Sequence, residues 1–283
     1  MEEPGAGVAS FGGGGMTPNR TATTENFPVA SWLIRPANRA PVMAFYRFAR
    51  AADDIADHAP LIPAEKLDRL EAMRATVAGE AEAEPAALAL REAMTDRRLD
   101  PAHALDLLTA FIRDVTTTRT VTYNDLLAYC AKSAAPVGRF VLDVHGEDRA
   151  TWPASDALCA ALQIINHLQD CGKDFREMGR VYIPDDMLSA AGLDIDVLAG
   201  TRSPPALLAI IAELARRAER LLAVSAPFAR ALRDRRLAAE VRVIQRLAVD
   251  LVAQLKCRDP LATRIEHSKP RAAWLALGAV LGR

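Results

Sequence analysis

The chain of 283 residues has few aromatic residues, few cysteines and no excess of charge of one sign. Aromatic side chains make up 5% of it, and the four cysteines are Cys130, Cys159, Cys171 and Cys257. This number and spacing fit neither a disulfide-stabilised secreted domain nor a zinc site, so we expect reduced thiols in a cytoplasmic protein. The net charge of −1 supplies no overall field for binding nucleic acid, which argues against such a partner.

Long apolar runs are also missing. The apolar stretch over residues 272–282 is much shorter than the roughly 20 residues that span a bilayer. We expect it to form a buried terminal helix, with peripheral contact at the inner face of the membrane as the alternative. The glycine run at residues 12–15 follows no apolar signal segment. We therefore predict a disordered tail over residues 1–20, with Met16 as an alternative start, and a single helical domain over residues 21–283.

What the sequence does contain favours helices. Glycine (15) and proline (17) are sparse, and no alternating apolar pattern of useful length predicts strands, so we expect an all-α bundle with its site between facing helices. Pro41 predicts the start of a helix that runs toward Asp57, and Thr122 with Asp125 predicts a capping box for residues 123–132. Pro136 is expected to end that helix. Further helices are predicted over residues 156–176, from Pro205 onward, and over about 234–255.

Two stripes of oxygen-bearing side chains stand out. Asp53 and Asp57 belong to an Asp-Asp-x-x-Asp pattern and are four residues apart, so they share one face of a helix. Asn166, Asp170 and Asp174 form a second stripe over two turns of an apolar segment. Either stripe alone is typical of a solvated helix face, but two stripes in one helical chain favour a functional site.

The chemistry of these stripes points to magnesium and a diphosphate. Mg²⁺ prefers a few carboxylate ligands and completes its octahedron with water and phosphate oxygens. Ions held between the stripes would neutralise a diphosphate leaving group, while the helices enclose a dry pocket for the resulting carbocation. Cations and a phenol near the stripes are predicted to bind the substrate's phosphate oxygens: Arg47, Arg50, Lys173, Arg180 and Tyr182.

These motifs resemble those of the squalene/phytoene synthase family, from about Glu25 to the C-terminus. Tyr46-x-x-x-Arg50-x-x-Asp53-x-x-x-Asp57 is similar to the family's first aspartate motif, and Gln163-x-x-Asn166-x-x-x-Asp170-x-x-x-Asp174 to its second. Tyr129-Cys130 and Val137-Gly138 match the helix between them. The resemblance implies an isoprenoid synthase fold, with about two or three Mg²⁺ ions bridging the motifs, and adds Tyr46, Tyr129 and Gln163 to the substrate-binding residues.

Within the family, residues 25–31 and 129–138 are most similar to the bacterial branch that serves hopanoid synthesis. Resemblance to that branch implies that presqualene diphosphate ionises, that the cation rearranges, and that water captures it to give hydroxysqualene without NADPH. Other hopanoid-pathway enzymes are then expected partners. Lys132 occupies the position of a family tyrosine proposed to act in condensation of two farnesyl diphosphates, so it favours the later reaction. We expect Lys132 to face the diphosphate or to have a pKa lowered by burial.

Other functions stay open. Condensation of two prenyl diphosphates to presqualene diphosphate, squalene or phytoene uses the same motifs. A head-to-tail prenyl elongase shares the first motif but would normally repeat it in acid-rich form. The alternative without catalysis is a helical assembly factor of the same fold, against which both retained aspartate stripes argue.

Overall fold

The computed structural model describes residues 34–280, and this part of the chain is all-α as expected. Within it the only β pairing is an isolated bridge between Arg119 and Val181. The predicted tail, Met16 and the matching segment 25–31 lie outside the described residues. The α-helices are α1 (Pro36–Asp57), α2 (Pro63–Ala78), α3 (Pro85–Arg97), α4 (Ala102–Thr116), α5 (Tyr123–Ser133), α6 (Ala135–His145), α7 (Trp152–Met178), α8 (Asp185–Ala190), α9 (Pro205–Ser225), α10 (Phe228–Ala231), α11 (Arg235–Leu255) and α12 (Lys269–Val280), with short 3₁₀ helices at Arg149–Thr151 and Ile195–Ala199.

Proline marks the start of several helices, but the predicted start at Pro41 is wrong. Helix α1 begins at Pro36, and Pro41 lies inside it. A proline there cannot donate a hydrogen bond to the carbonyl of Ala37, four residues earlier. The guanidinium of Arg97, at the end of α3, donates to that carbonyl instead. A tertiary contact thus compensates for the proline, so the helix continues through it.

The capping box at the start of α5 is confirmed. Thr122 Oγ1 accepts a hydrogen bond from the Asp125 amide at 3.2 Å, and the Asp125 carboxylate accepts one from the Thr122 amide at 2.9 Å. The end of this helix differs from the prediction, because α5 stops at Ser133 and Pro136 lies in the first turn of α6. The three later helices are confirmed as α7, α9 and α11.

Two large hydrophobic clusters form most of the core of the described residues. One cluster joins α7 to α9 and α11. The other is formed by helices α1, α2, α3, α4 and α6. Phe48 and Phe140 are fully buried in the second cluster, and Phe45 stacks on Phe140 with 4.2 Å between ring centroids. The polar faces of α1 and α7 therefore meet the space between the clusters.

Helix α12 is only partly the buried helix that its sequence predicts. Leu275 and Ala279 pack on Val243 of α11, whereas the side chains of Trp274 and Leu277 are 65% and 59% exposed. Across the described part of the chain, we find no helix with both the length and the apolar character needed to cross a membrane.

Substituting the cap of α5 tests the local folding of this segment. We expect Thr122→Ala to lower the free energy of unfolding by about 1 kcal/mol, because the amide of Asp125 loses its acceptor. Thr122→Ser keeps the hydroxyl and should be close to wild type. Urea denaturation followed by circular dichroism measures both, and equal stability of the two variants would contradict the role of the cap.

Candidate active site

The structure brings most of the predicted residues to one cavity of about 910 Å³. Helices α1, α4, α5 and α7 and the segment after α7 form its walls. The predicted residues that line it are Arg50, Asp53, Asp57, Tyr129, Gln163, Asn166, Asp170, Lys173, Asp174, Arg180 and Tyr182. Because the lining is rich in carboxylates, we call this space the acidic chamber.

The first stripe faces the chamber because the rest of α1 is apolar. Phe48, Ala52 and Ile55 are buried in the core, which turns the aspartates to the other side. Arg50 Nη1 lies 2.6 Å from Asp53 Oδ2, and its Nη2 lies 2.9 Å from Asp54 Oδ1. One guanidinium thus balances part of the negative charge that the pattern concentrates on this face.

The second stripe faces the chamber for the same reason, because apolar residues of α7 are buried in the core. Ile164, Ile165 and Leu168 are buried against the neighbouring helices, so the side chains between them point into the chamber. Asn166 and Asp170 both line the space that Asp53 lines from the opposite wall. Spacing of four residues along each helix therefore places the two predicted stripes across one cavity.

Arg180 connects the two stripes. Helix α7 ends at Met178, and the following Gly179, with a φ of 66°, makes the left-handed turn that redirects the chain. Arg180 Nη1 then lies 2.5 Å from Asp57 Oδ1, and its Nη2 donates to the carbonyl of Ala56 at 3.2 Å. The next residue, Val181, donates to the carbonyl of Thr118 at 2.8 Å. The sequence predicted a substrate-binding arginine here, and the structure shows it tying α7 to α1.

Burial raises the pKa values of two carboxyl groups in the chamber. Burial and then the charge of Asp57 raise the pKa of Asp53 to about 7, against the opposing effect of Arg50. Burial also raises the pKa of Asp114, although Arg180 and Tyr129 lower it. A divalent cation placed among these groups would relieve the repulsion that favours their protonation.

The donor chemistry fits magnesium shared with a substrate. The two walls offer carboxylate and amide oxygens, which Mg²⁺ prefers. Within residues 34–280, no three His, Cys, Asp or Glu side chains group closely enough to hold an ion on their own. Mg²⁺ usually keeps several waters and binds through one or two carboxylates plus substrate phosphates. The arrangement therefore suits ions that arrive with a diphosphate.

A polar cluster in the chamber includes Asp114 and His167, which the sequence did not predict as site residues. The hydroxyl of Tyr129 donates to Asp114 Oδ2 at 2.7 Å, and His167 stacks on Tyr182 with 3.5 Å between ring centroids. Burial, with the nearby Asp114 carboxylate, holds the pKa of Tyr129 well above its usual range. Asp114 was overlooked because it is a lone acid, yet it follows Leu107 and Ala110 on the buried face of α4, a register that helical periodicity could reveal.

Two predicted residues line neither this chamber nor the neighbouring cavity described below. Arg47 is exposed on α1. Lys132 is 48% exposed and its Nζ lies 2.7 Å from Asp106 Oδ1, so it is neither buried nor among the cavity-lining residues. The expectation for Lys132 is wrong because a carboxylate of α4 holds the ammonium at the surface.

A second cavity of about 420 Å³ adjoins the first, and its walls are mostly apolar. Phe45, Phe140 and Leu158 are among its lining residues, and the predicted Tyr46 lies here. The residues common to both cavities are Arg50, Asp53, Phe111, Ser133, Gln163 and Asn166. This apolar chamber therefore opens where the two stripes begin.

The family of the chain follows from its match to a known family over most of its length. Residues 20–274 match the family described as squalene/phytoene synthase. The chain belongs to the squalene/phytoene synthase family. The resemblance seen in its two aspartate motifs is thereby confirmed.

Several relatives in this family are similar over most of their length. The hydroxysqualene synthase of Rhodopseudomonas palustris is 51% identical over 251 residues, covering 89% of this chain and 86% of that protein. The hydroxysqualene synthase of Zymomonas mobilis is 48% identical, covering 92% and 88%. The phytoene synthase of Pseudescherichia vulneris is 32% identical, covering 72% and 68%.

Solved structures of the family share the fold. The squalene synthase HpnC from Alicyclobacillus acidocaldarius has a TM-score of 0.72 at 31% identity, covering 83% of this chain and 90% of that one. A dehydrosqualene synthase has a TM-score of 0.75 at 22% identity, covering 90% of each chain, and this likeness shows the fold alone.

Replacing Arg180 tests its role in joining the stripes. We expect Arg180→Met to lower the free energy of unfolding by roughly 1–3 kcal/mol, because Asp57 keeps its charge and loses its buried partner. The effect is below that of a fully buried pair because Asp57 is partly exposed. Arg180→Lys keeps the charge and should lose less. Urea denaturation distinguishes them, and a methionine variant as stable as wild type would contradict the link.

Proposed function

We propose that the chain is a hydroxysqualene synthase, which converts presqualene diphosphate and water to hydroxysqualene and diphosphate. The observation that carries the proposal is the joining of an acidic chamber to an apolar one. A prenyl diphosphate has the same two parts, a charged head and a long hydrocarbon tail. Identities of 48–51% to proteins named hydroxysqualene synthase support this reaction within the family.

The acidic chamber would bind the diphosphate. Asp53 and Asp57 on α1, with Asn166, Asp170 and Asp174 on α7, would hold about two or three Mg²⁺ ions, whose charge would neutralise the leaving group. Arg50 and Arg180 already lie among these carboxylates. Lys173 Nζ is 3.8 Å from Glu177 and its side chain is 44% exposed, so it can turn to a phosphate oxygen at little cost.

The apolar chamber would hold the prenyl chains and protect the cation. Phe45, Phe111 and Phe140 line it, and the faces of aromatic rings attract positive charge. Its dry walls limit premature capture of the cation by bulk water. Ionisation, rearrangement and hydration involve no net reduction, so we propose that the reaction needs no NADPH.

Condensation of two prenyl diphosphates is the second candidate. The relatives named phytoene synthase, at about 30–32% identity, make it a real alternative, and both chambers would serve it equally. The higher identity to hydroxysqualene synthases favours the hydration reaction. A helical assembly factor without catalytic activity would have no need for carboxylates on two facing walls of one cavity.

The apolar product suggests where the protein works. We place it in the cytoplasm with peripheral contact at the inner face of the membrane, where hydroxysqualene would partition and other hopanoid-pathway enzymes would take it up. Trp274 and Leu277, exposed on α12, are of the residue types that enter the interface of a bilayer.

A product assay tests the reaction. Purified protein with Mg²⁺ and presqualene diphosphate should yield hydroxysqualene at the same rate with and without NADPH, because water ends the reaction. Mass spectrometry of the extracted lipids measures it. A requirement for NADPH, or products formed only from farnesyl diphosphate, would instead favour the condensing and reducing members of the family.

Neutralising the stripes tests the site. Asp53→Asn, Asp57→Asn, Asp170→Asn and Asp174→Asn should each slow diphosphate release by roughly 100-fold or more, since each removes charge that would hold the ions. Asp68→Asn, an exposed position on α2, is the matched control and should be unaffected. Stabilisation by Mg²⁺ with a non-hydrolysable prenyl diphosphate analogue, followed by thermal melting, should fall in parallel. Four variants with wild-type rates would rule out this assignment.

A further inference from the structure

The apolar chamber contains a carboxylate that the site motifs do not account for. Leu237, Glu240, Val241 and Ile244 of α11 all line this chamber. Their spacing of three and four residues places them on one face of the helix. Glu240 is only 4% exposed. Among the residues of α11 that line this chamber, it is the one with a carboxylate, a group that can accept a proton.

The other polar groups of the chamber are less suited to proton transfer. Arg50, Asp53, Gln163 and Asn166 are shared with the acidic chamber and lie where the diphosphate would bind. Away from that junction, the polar side chains described in the apolar wall are Tyr46, Ser155, Cys159 and Glu240. Burial, reinforced by the charge of Asp156, raises the pKa of the Cys159 thiol to about 11. Among the described residues, Glu240 is thus the one carboxylate that lines the apolar chamber and not the acidic one.

We propose that Glu240 positions the water that captures the carbocation and accepts the proton released. Oxygen of the water supplies an electron pair to the cationic carbon, a C–O bond forms, and one O–H bond of the resulting oxonium breaks as its proton passes to the Glu240 carboxylate. The products are the neutral alcohol and a protonated Glu240, which returns its proton to solvent. No electrons are transferred to or from another reagent.

The location of Glu240 in the apolar chamber explains why capture of the carbocation by water can compete with loss of a proton from that cation. A cation in an apolar pocket otherwise ends as a hydrocarbon, when a neighbouring C–H bond gives up its proton. A water held by a carboxylate beside the cation is a stronger nucleophile, because its proton is accepted as the C–O bond forms. This inference rests on the proposed function and assigns a residue to its last step.

The test compares products rather than rates alone. Glu240→Gln keeps the shape of the side chain and removes its basicity. With presqualene diphosphate and Mg²⁺, we expect the ratio of hydroxysqualene to hydrocarbon products to fall by ~10-fold or more, with a much smaller change in diphosphate release. Glu240→Asp keeps a carboxylate but withdraws it by one methylene. Its product ratio should lie between those of wild type and Glu240→Gln. The control is Glu219→Gln, which removes a carboxylate from the surface of α9, where it pairs with Lys256.

The outcomes separate the two proposals. If wild-type protein makes no hydroxysqualene, the proposed function fails first. If wild type makes it and folded Glu240→Gln keeps the wild-type ratio, the function stands and the role of Glu240 is overturned. A purely structural Glu240 would lower the melting temperature and total turnover together and leave the ratio unchanged. Should the glutamine variant not fold, an unchanged ratio in Glu240→Asp overturns the proposal equally.

Discussion

Repulsion between carboxylates that share a partly buried space is the constraint on which this structure depends. Asp53, Asp57 and the acids of α7 lie around one chamber, where partial burial strengthens their mutual repulsion. Arg50 balances the charge from within α1, and Arg180 balances it from the end of α7. The length of α7, the left-handed turn at Gly179 and the path of the following segment all serve to bring that second guanidinium to Asp57.

The predictable features of the fold and the candidate site follow from local spacing. Stripes at intervals of four, and the capping box of Thr122, involve residues close in sequence, so periodicity was enough. The start of α1 was predicted wrongly because Arg97, far along the chain, donates to the carbonyl that Pro41 leaves without a donor. Lys132 was misplaced for a similar reason, since Asp106 on another helix holds it. Asp114 belongs to no motif, so only its register on the buried face of α4 could have indicated it.

The joined chambers divide chemical tasks that conflict in one space. A diphosphate needs charge and hydrogen-bond donors, whereas a carbocation needs walls that do not react with it. Phe111 and the beginnings of both stripes belong to the two cavities. A substrate lying across this junction can therefore have its leaving group and its reactive carbon in different surroundings although the two are covalently joined at the start.

The pair between Arg180 and Asp57 also has a consequence for how the protein folds. Its partners are 123 positions apart in sequence, so a large loop must close before they can meet. Nothing local holds them together earlier, and α1 emerges from the ribosome long before the end of α7. The acidic wall of α1 thus remains without this counterion until most of the chain has been synthesised, which makes completion of the site a late event in folding.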